Sequence, residues 1–179
     1  MLGYFLEENS IESPLLNEFA AESFFTSVKN LSKSFPDCAV ILRMKSVNTP
    51  EDSDRILGTF SSCSNLFLCD DYNHLSVSYR LCKEADVVVA VQTTLAEECL
   101  AYGKKVVMLD DYHSVSRLCT DIYPEEFHFT IAKDNPHMIS LVYQCLHEEE
   151  ELLVKYRDLD QKLSGDIDMS VPGTASRTI

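Results

Sequence analysis

Apolar residues arrive along this chain in two rhythms. Short, nearly unbroken runs recur at Gly3 to Leu6, Cys38 to Leu42, Asn65 to Cys69, Val87 to Val91 and Lys105 to Leu109. Runs this short and this rich in Val, Ile and Leu predict strands covered on both faces, because a half-exposed strand alternates apolar with polar. Phe127 to Ile131 reads as a last strand.

The second rhythm is helical. Leu15, Leu16, Phe19, Ala20, Phe24, Val28 and Leu31 fall at helical spacing up to about Lys33. Ser13-Pro14 opens that helix, Ser as cap and Pro in the first turn, and Phe35-Pro36-Asp37 stops it. Thr49-Pro50-Glu51-Asp52 starts a second helix ending near Gly58. Ser76 to Lys83 is a third, and Leu95 to Tyr102 a fourth, closed by Gly103 as its C-terminal cap. Asn135-Pro136 introduces a long helix from about His137 to Leu163, on which His147 to Glu151 form a solvated face.

Strands therefore alternate with helices at least four times over short connections. That order predicts a doubly wound, Rossmann-like α/β domain with a mostly parallel sheet of five or six strands. The length of 179 residues suits one domain, residues 1–165, followed by a polar tail, 166–179, expected to be disordered.

Composition narrows the partners. A formal net charge of −14 argues against nucleic acid and against an anionic membrane surface. A phosphate-bearing small ligand is still allowed, because a helix N-terminus can oppose the global field locally. No apolar run approaches the roughly 18 to 20 residues of a membrane span. Met1 to Glu8 has neither a basic region nor a cleavage-site pattern, so no signal peptide is expected. The seven Cys include no CxxC pair and no Cys/His ligand spacing. Cys38, Cys69, Cys82, Cys99 and Cys145 lie in or beside apolar segments and read as buried small hydrophobes in a reducing cytoplasm, with no metal site.

In open α/β sheets ligands bind beyond the carboxyl ends of the strands. Arg43 and Lys45 follow the second run, Asp70 to His74 the third, Gln92-Thr93-Thr94 the fourth, and Asp110 to His113 the fifth. Thr93 and Thr94 offer hydroxyls and free backbone N–H groups at the positive end of a helix, a phosphate site without glycines, or a plain capping box with Glu97. Glu97 and Glu98 lie one turn on, where a carboxylate can accept both hydroxyls of a ribose or merely complement the helix dipole. Arg43 and Lys45 share a strand face and could neutralise a diphosphate, or form an ordinary solvated strand end. His74 and His113 read as surface residues in the first instance. The chain contains no GxxxxGK[ST], no GxGxxG and no GxSxG, which disfavours P-loop, standard dinucleotide and α/β-hydrolase chemistry.

With those residues in view, "SYRLCKEADVVVAVQTTLAEECLAYGKKVVMLDDY" (Ser78 to Tyr112) resembles the C-terminal nucleotide-sugar-binding domain of GT-B-fold glycosyltransferases, in particular bacterial surface-polysaccharide transferases. It is also similar to the matching segment of UDP-N-acetylglucosamine 2-epimerases. The resemblance implies that the helix start at Thr93-Thr94 meets the nucleotide diphosphate and that Glu98 holds the ribose. It further implies basic donor contacts at Arg43 and Lys45, and a loop near the base that includes Tyr72. The turn Tyr102-Gly103-Lys104-Lys105-Val106 corresponds to the family's Gly-Lys-Pro-Val type, with Lys105 in place of Pro.

The implied ligand is a UDP-, CDP- or CMP-linked sugar, with no cofactor. The catalytic residues are not named by it, because a GT-B enzyme has two Rossmann-like domains and this length holds one half of such an architecture. A missing N-terminal acceptor domain or a partner chain is then expected. A receiver domain fits less well, since its acidic residues belong after the first and third strands, whereas Asp110-Asp111 follow the fifth. A non-catalytic interaction module of the same fold is the other alternative.

Overall fold

The computed structural model describes residues 2–3, 14–44, 50–69, 75–90, 94–110 and 124–166. Its elements follow in the order β1 (Leu2–Gly3), α1 (Pro14–Ser34), β2 (Val40–Met44), α2 (Pro50–Thr59), β3 (Leu66–Cys69), α3 (Leu75–Glu84) and β4 (Val88–Ala90). Then come α4 (Thr94–Ala101), β5 (Val106–Leu109), a 3-10 helix (Glu125–Thr130), β6 (Ile131–Ala132), α5 (Asn135–Leu146) and α6 (Glu150–Asp166). The six strands form one sheet in the order β3-β2-β1-β4-β5-β6. Every pairing is parallel. This is the strand order of a doubly wound Rossmann-like fold, as the alternation of runs and helices leads one to expect.

Alternation along the strands divides the core. Leu42, Leu66, Val89, Val107 and Leu109 pack against α1, α2 and α5 on one face, through Val28, Ile56 and Met138 among others. Val88, Ala90, Val106, Met108 and Ile131 face the other way, onto α4 and α6 through Ala96, Leu100 and Leu159. Val106 to Leu109 are all buried, so β5 is the centre of both layers. Cover thins toward the β3 edge. Ile41 and Phe67, paired in register, are 39% and 54% exposed.

Asn65 locks the first crossover. Its amide Nδ2 donates to the carbonyls of Ser32, Phe35 and Cys38 at 3.2, 2.9 and 2.8 Å, and its Oδ1 accepts from the Ser32 hydroxyl. Its own carbonyl accepts from Val40 N at 2.8 Å. One side chain therefore satisfies the end of α1 and the turn into β2 from the start of β3.

Two helix ends use the same geometry with different residues. At α4, Lys104 N–H reaches Cys99 O and Gly103 N–H reaches Leu100 O, both at 2.9 Å, with Gly103 at φ +70°. This is the Schellman arrangement that the glycine leads one to expect. The long helix expected from about His137 to Leu163 is instead two helices. His147 N–H bonds Tyr143 O, Glu149 N–H bonds Gln144 O, and Glu148 takes φ +54° where glycine would be usual. His147, Glu148 and Glu149 are thus an exposed turn and not a helix face. Lys105 supports the break, its ammonium donating to Cys145 O at 2.8 Å and to Glu148 Oε1 at 3.3 Å.

The expected strand at Phe127 to Ile131 is mostly a 3-10 turn. Pro124 O accepts from Phe127 N at 2.9 Å, and Thr130 Oγ1 bonds back to Phe127 O at 2.7 Å. Only Ile131 and Ala132 join the sheet. β1 lies at Leu2–Gly3, and the rest of its expected span to Leu6 is outside the described residues, as is the polar tail beyond Asp166. Among the cysteines, Cys63, Cys82, Cys99 and Cys145 are buried, but Cys38 and Cys69 are partly exposed, a correction to their reading as core.

Asn65→Ala removes the three amide bonds and the Ser32 contact together. At about 0.5–1.5 kcal/mol net for each, a loss of about 2–6 kcal/mol is expected, read as a lower urea midpoint at unchanged m-value. Gly103→Ala is expected to cost about 1–2 kcal/mol for its left-handed backbone alone. The added Cβ would sit 3.8 Å from the Asp160 carboxyl, an ordinary contact, so packing adds nothing.

Candidate functional site

The sheet order places β1 beside β4. Helix α1 follows β1 onto one face, and α4 follows β4 onto the other. The two connections diverge there, and the crevice outside the carboxyl ends of these strands is where a doubly wound sheet takes its ligand. Helix α4 begins at Thr94 at that edge, which sets the positive end of its dipole there.

Helix α3 organises what lies around it. Arg43, near the end of β2, is only 7% exposed, and its Nε donates to Ser78 Oγ at 3.2 Å. The next residue, Tyr79, donates its hydroxyl to Glu98 Oε2 at 2.5 Å. Arg43 from β2 and Glu98 from α4 thus meet one helix at consecutive residues. Burial, then the hydrogen bond and negative charge of Glu98, hold the Tyr79 hydroxyl well above the usual phenol range. Tyr79 therefore remains a donor to Glu98 throughout the physiological range. Below this contact, Cys82 of α3 and Cys99 of α4 are both buried. The bond to Cys82 and burial raise the Cys99 thiol strongly, so it keeps its proton.

At the end of β5, Asp110 is 2% exposed. Its N–H bonds Ala132 O at 2.7 Å, which fixes the backbone, while Oδ1 has no hydrogen-bond partner. A buried carboxylate oxygen at the ligand edge is costly unless something meets it.

Of the residues expected from sequence, Arg43 and Glu98 are placed with their side chains, and Thr94 is placed as the first residue of α4. Lys45, Tyr72 and Thr93 lie outside the described residues, as do His74 and His113. Ser78, Tyr79 and Asp110 were not singled out as site residues. Ser78 and Tyr79 sit inside the quoted motif, but their contacts cross to other elements, Ser78 to Arg43 on β2 and Tyr79 to Glu98 on α4. Asp110 carried a signal, being the first polar residue after the fifth apolar run. Among the described residues, no group of three His, Cys, Asp or Glu side chains is placed to hold a metal ion. No described helix is long and apolar enough to cross a membrane.

The chain is thus a Rossmann-like α/β domain with its switch-point edge flanked by α4 and α3. No protein-family model matches it, and no curated protein does. Among solved structures it is similar to the UDP-GlcNAc 2-epimerase from Neisseria meningitidis bound to UDP-GlcNAc, at 16% identity and a TM-score of 0.51. The match covers 91% of this chain and 37% of the epimerase chain. Identity this low establishes a shared fold, and the chain spans little more than a third of its neighbour.

Raised phenols give stability a definite pH dependence. Tyr79 and Tyr156 both bind their protons more tightly folded than unfolded. Their contribution is complete below the ordinary phenol pKa of about 10 and is lost as pH rises past it toward the folded values. Denaturant midpoints should therefore fall above about pH 10, and less steeply in Tyr79→Phe. An equal fall in the variant would contradict the Tyr79–Glu98 contact.

Proposed function

We propose that this chain is the donor-binding half of a glycosyltransferase-like enzyme that uses a nucleotide sugar. The observation that carries this reading is the edge of the sheet at β4 and α4. A helix N-terminus opens at the switch point, and Glu98, on the second turn of that helix, is held in place by Tyr79. The sequence resemblance names Thr93, Thr94 and Glu98 for the same task, and the solved neighbour on this fold carries UDP-GlcNAc.

In this reading the N–H groups at the start of α4, with the Thr93 and Thr94 hydroxyls, receive the diphosphate. Arg43 and Lys45 add positive charge from β2, and Tyr72 lies near the base. Stabilising the departing phosphate by preorganised donors lowers the barrier to breaking the glycosidic bond, because that is where negative charge grows. Glu98 accepts the ribose hydroxyls. Its bond from Tyr79 fixes the side-chain rotamer, so less ordering remains to be done when the nucleotide arrives. The acceptor and the groups that act on it belong to a second domain or a partner chain, and a 2-epimerase arrangement shares that requirement.

Glu98→Ala removes two hydrogen bonds to a charged acceptor, each worth about 1.5–3 kcal/mol. Calorimetric titration of UDP, CDP and CMP against both proteins should show affinity weakened tenfold or more, with little change in folding. Equal affinity would leave α4 as an ordinary capped helix and remove the assignment. The 179-residue chain by itself is expected to show no sugar transfer from a nucleotide sugar. Turnover by this chain alone would overturn the half-enzyme reading.

A further inference from the structure

Helices α3 and α4 lie side by side, and three contacts cross between them in order. Tyr79 donates to Glu98 Oε2 at 2.5 Å. One turn further along α3, the Cys82 and Cys99 thiols share a hydrogen bond. At the C-terminal ends of both helices, the Lys104 ammonium donates to Ala85 O at 3.2 Å. Residues 79, 82 and 85 follow one another up one side of α3 at helical spacing. Their partners 98, 99 and 104 rise in the same order, so the two helices run parallel here. The outer contacts hold the helices at a fixed separation, and the sulfur pair is the middle rung.

This pair is asymmetric. Both thiols lie inside the apolar cluster shared by α3, α4 and β4, at 6% and 3% exposure. Cys99 donates the shared bond and keeps its proton, while that bond lowers the Cys82 thiol below its ordinary value and outweighs burial. One sulfur is thus the readier nucleophile, and the other stands in contact with it. The Cys99 carbonyl accepts from Lys104 N–H in the turn that ends α4, which fixes its backbone. Cys145, also buried, bonds the Tyr156 hydroxyl instead, and Cys38 and Cys69 stand partly exposed elsewhere.

We propose that Cys82 and Cys99 form a reversible disulfide that clasps α3 to α4 and resets the Glu98 carboxylate beside it. The oxidant is a small peroxide. The Cys82 sulfur attacks one peroxide oxygen and the O–O bond breaks. Cys82 becomes a sulfenic acid, and the other oxygen leaves as water with the Cys82 proton. The Cys99 sulfur then attacks the Cys82 sulfur, and the sulfenic hydroxyl leaves with the Cys99 proton as a second water. Two thiols lose two electrons, and one peroxide is reduced to two waters. A small dithiol reverses the bond by exchange.

The disulfide holds the sulfurs at about 2.05 Å, closer than a hydrogen bond, so the last turn of α4 is drawn toward α3. Glu98 lies about 100° round the helix from Cys99, so the same movement turns its carboxylate from the position that Tyr79 holds. The ring that closes contains β4 and the start of α4. The consequence for nucleotide rests on the donor-binding reading, whereas the disulfide itself does not.

The test treats the chain with hydrogen peroxide and digests it with trypsin in the absence of reductant. Leu81–Lys83 should appear joined to Glu84–Lys104, lighter by two hydrogens than the two peptides together, and dithiothreitol should separate them. The oxidised chain should melt roughly 5 °C or more above the reduced chain, because the cross-link restricts the unfolded state. Cys82→Ala and Cys99→Ala should each lose that shift. UDP should bind the oxidised chain roughly fivefold or more weakly than the reduced one, and peroxide should leave its affinity for Cys82→Ala unchanged. Absence of the joined peptides, under conditions that oxidise Cys38 and Cys69, would overturn the proposal. A disulfide that forms and leaves UDP affinity unchanged would overturn its action on Glu98. If UDP binds neither form, the donor-binding reading falls, and the joined peptides and the melting shift still decide the clasp.

Discussion

Everything in this domain hangs on how its two sheet halves are joined. β3 and β2 pair over four residues and β4 and β5 over three, and among the described residues Leu2 and Gly3 stand between β2 and β4. The helix layer on the first face also ties the halves together, where α1 and α5 bury Val28, Leu31, Met138 and Val142 in a single cluster with Leu42 and Val89. Position in the sheet and apolar burial therefore do separate jobs. The two residues of β1 define which strands are neighbours, and hence where the switch point falls. The helices supply the free energy, since burying a Val, Leu or Met side chain is worth about 1.5–3 kcal/mol.

In the proposed reading, that division lets an acidic chain offer an anion site. The net charge of −14 is spread over exposed carboxylates, such as the run from Glu148 to Glu151 on the far turn. At the crevice the local field is set by what is buried and oriented there. Arg43 is held under α3 by Ser78, and the dipole of α4 points its positive end outward. That cation and dipole act through low dielectric beside two nearby carboxylates, Glu98 and the buried Asp110, whereas the distant surface carboxylates are screened within about 10 Å at ordinary ionic strength.

What was legible in the sequence follows from how locally each feature is determined. The parallel strands were readable because Val, Ile and Leu runs need burial on both faces. The end of α4 was readable because Gly103 announces its left-handed residue. The end of α5 was not, because Glu148 occupies the same backbone region and no local residue type signals it. What makes the break tolerable comes from Lys105, more than forty residues earlier, which caps Cys145 O. The 3-10 turn before β6 was likewise hidden, since Phe-His-Phe-Thr-Ile alternates like a strand. Asn65 looked like an ordinary strand-start polar residue, and its four contacts depend on where α1 ends. At the site, Glu98 could be placed on its helix by counting, but its partner Tyr79 lies on another helix, and only the packing of α3 beside α4 brings the two together.

Lys105 also gives a physical sense to the departure from the Gly-Lys-Pro-Val pattern. A proline there would fix the backbone entering β5 but could not donate to α5. With lysine, the ammonium ends α5 and the chain doubles back as α6 across α4. Tyr156 on α6 then donates its hydroxyl to Val106 O at 2.6 Å and packs edge-on against Phe129, with ring centroids 5.0 Å apart. Leu159 and the approach of Asp160 to Gly103 complete the contact at the far end of α4. The result is a helix clamped at its C-terminus by α6 and β5 and steadied midway by Tyr79. Its N-terminus is left directed at the crevice. In the proposed reading, a helix held in this way meets an anion without reorganising, because the helix is already ordered by contacts made at its other end.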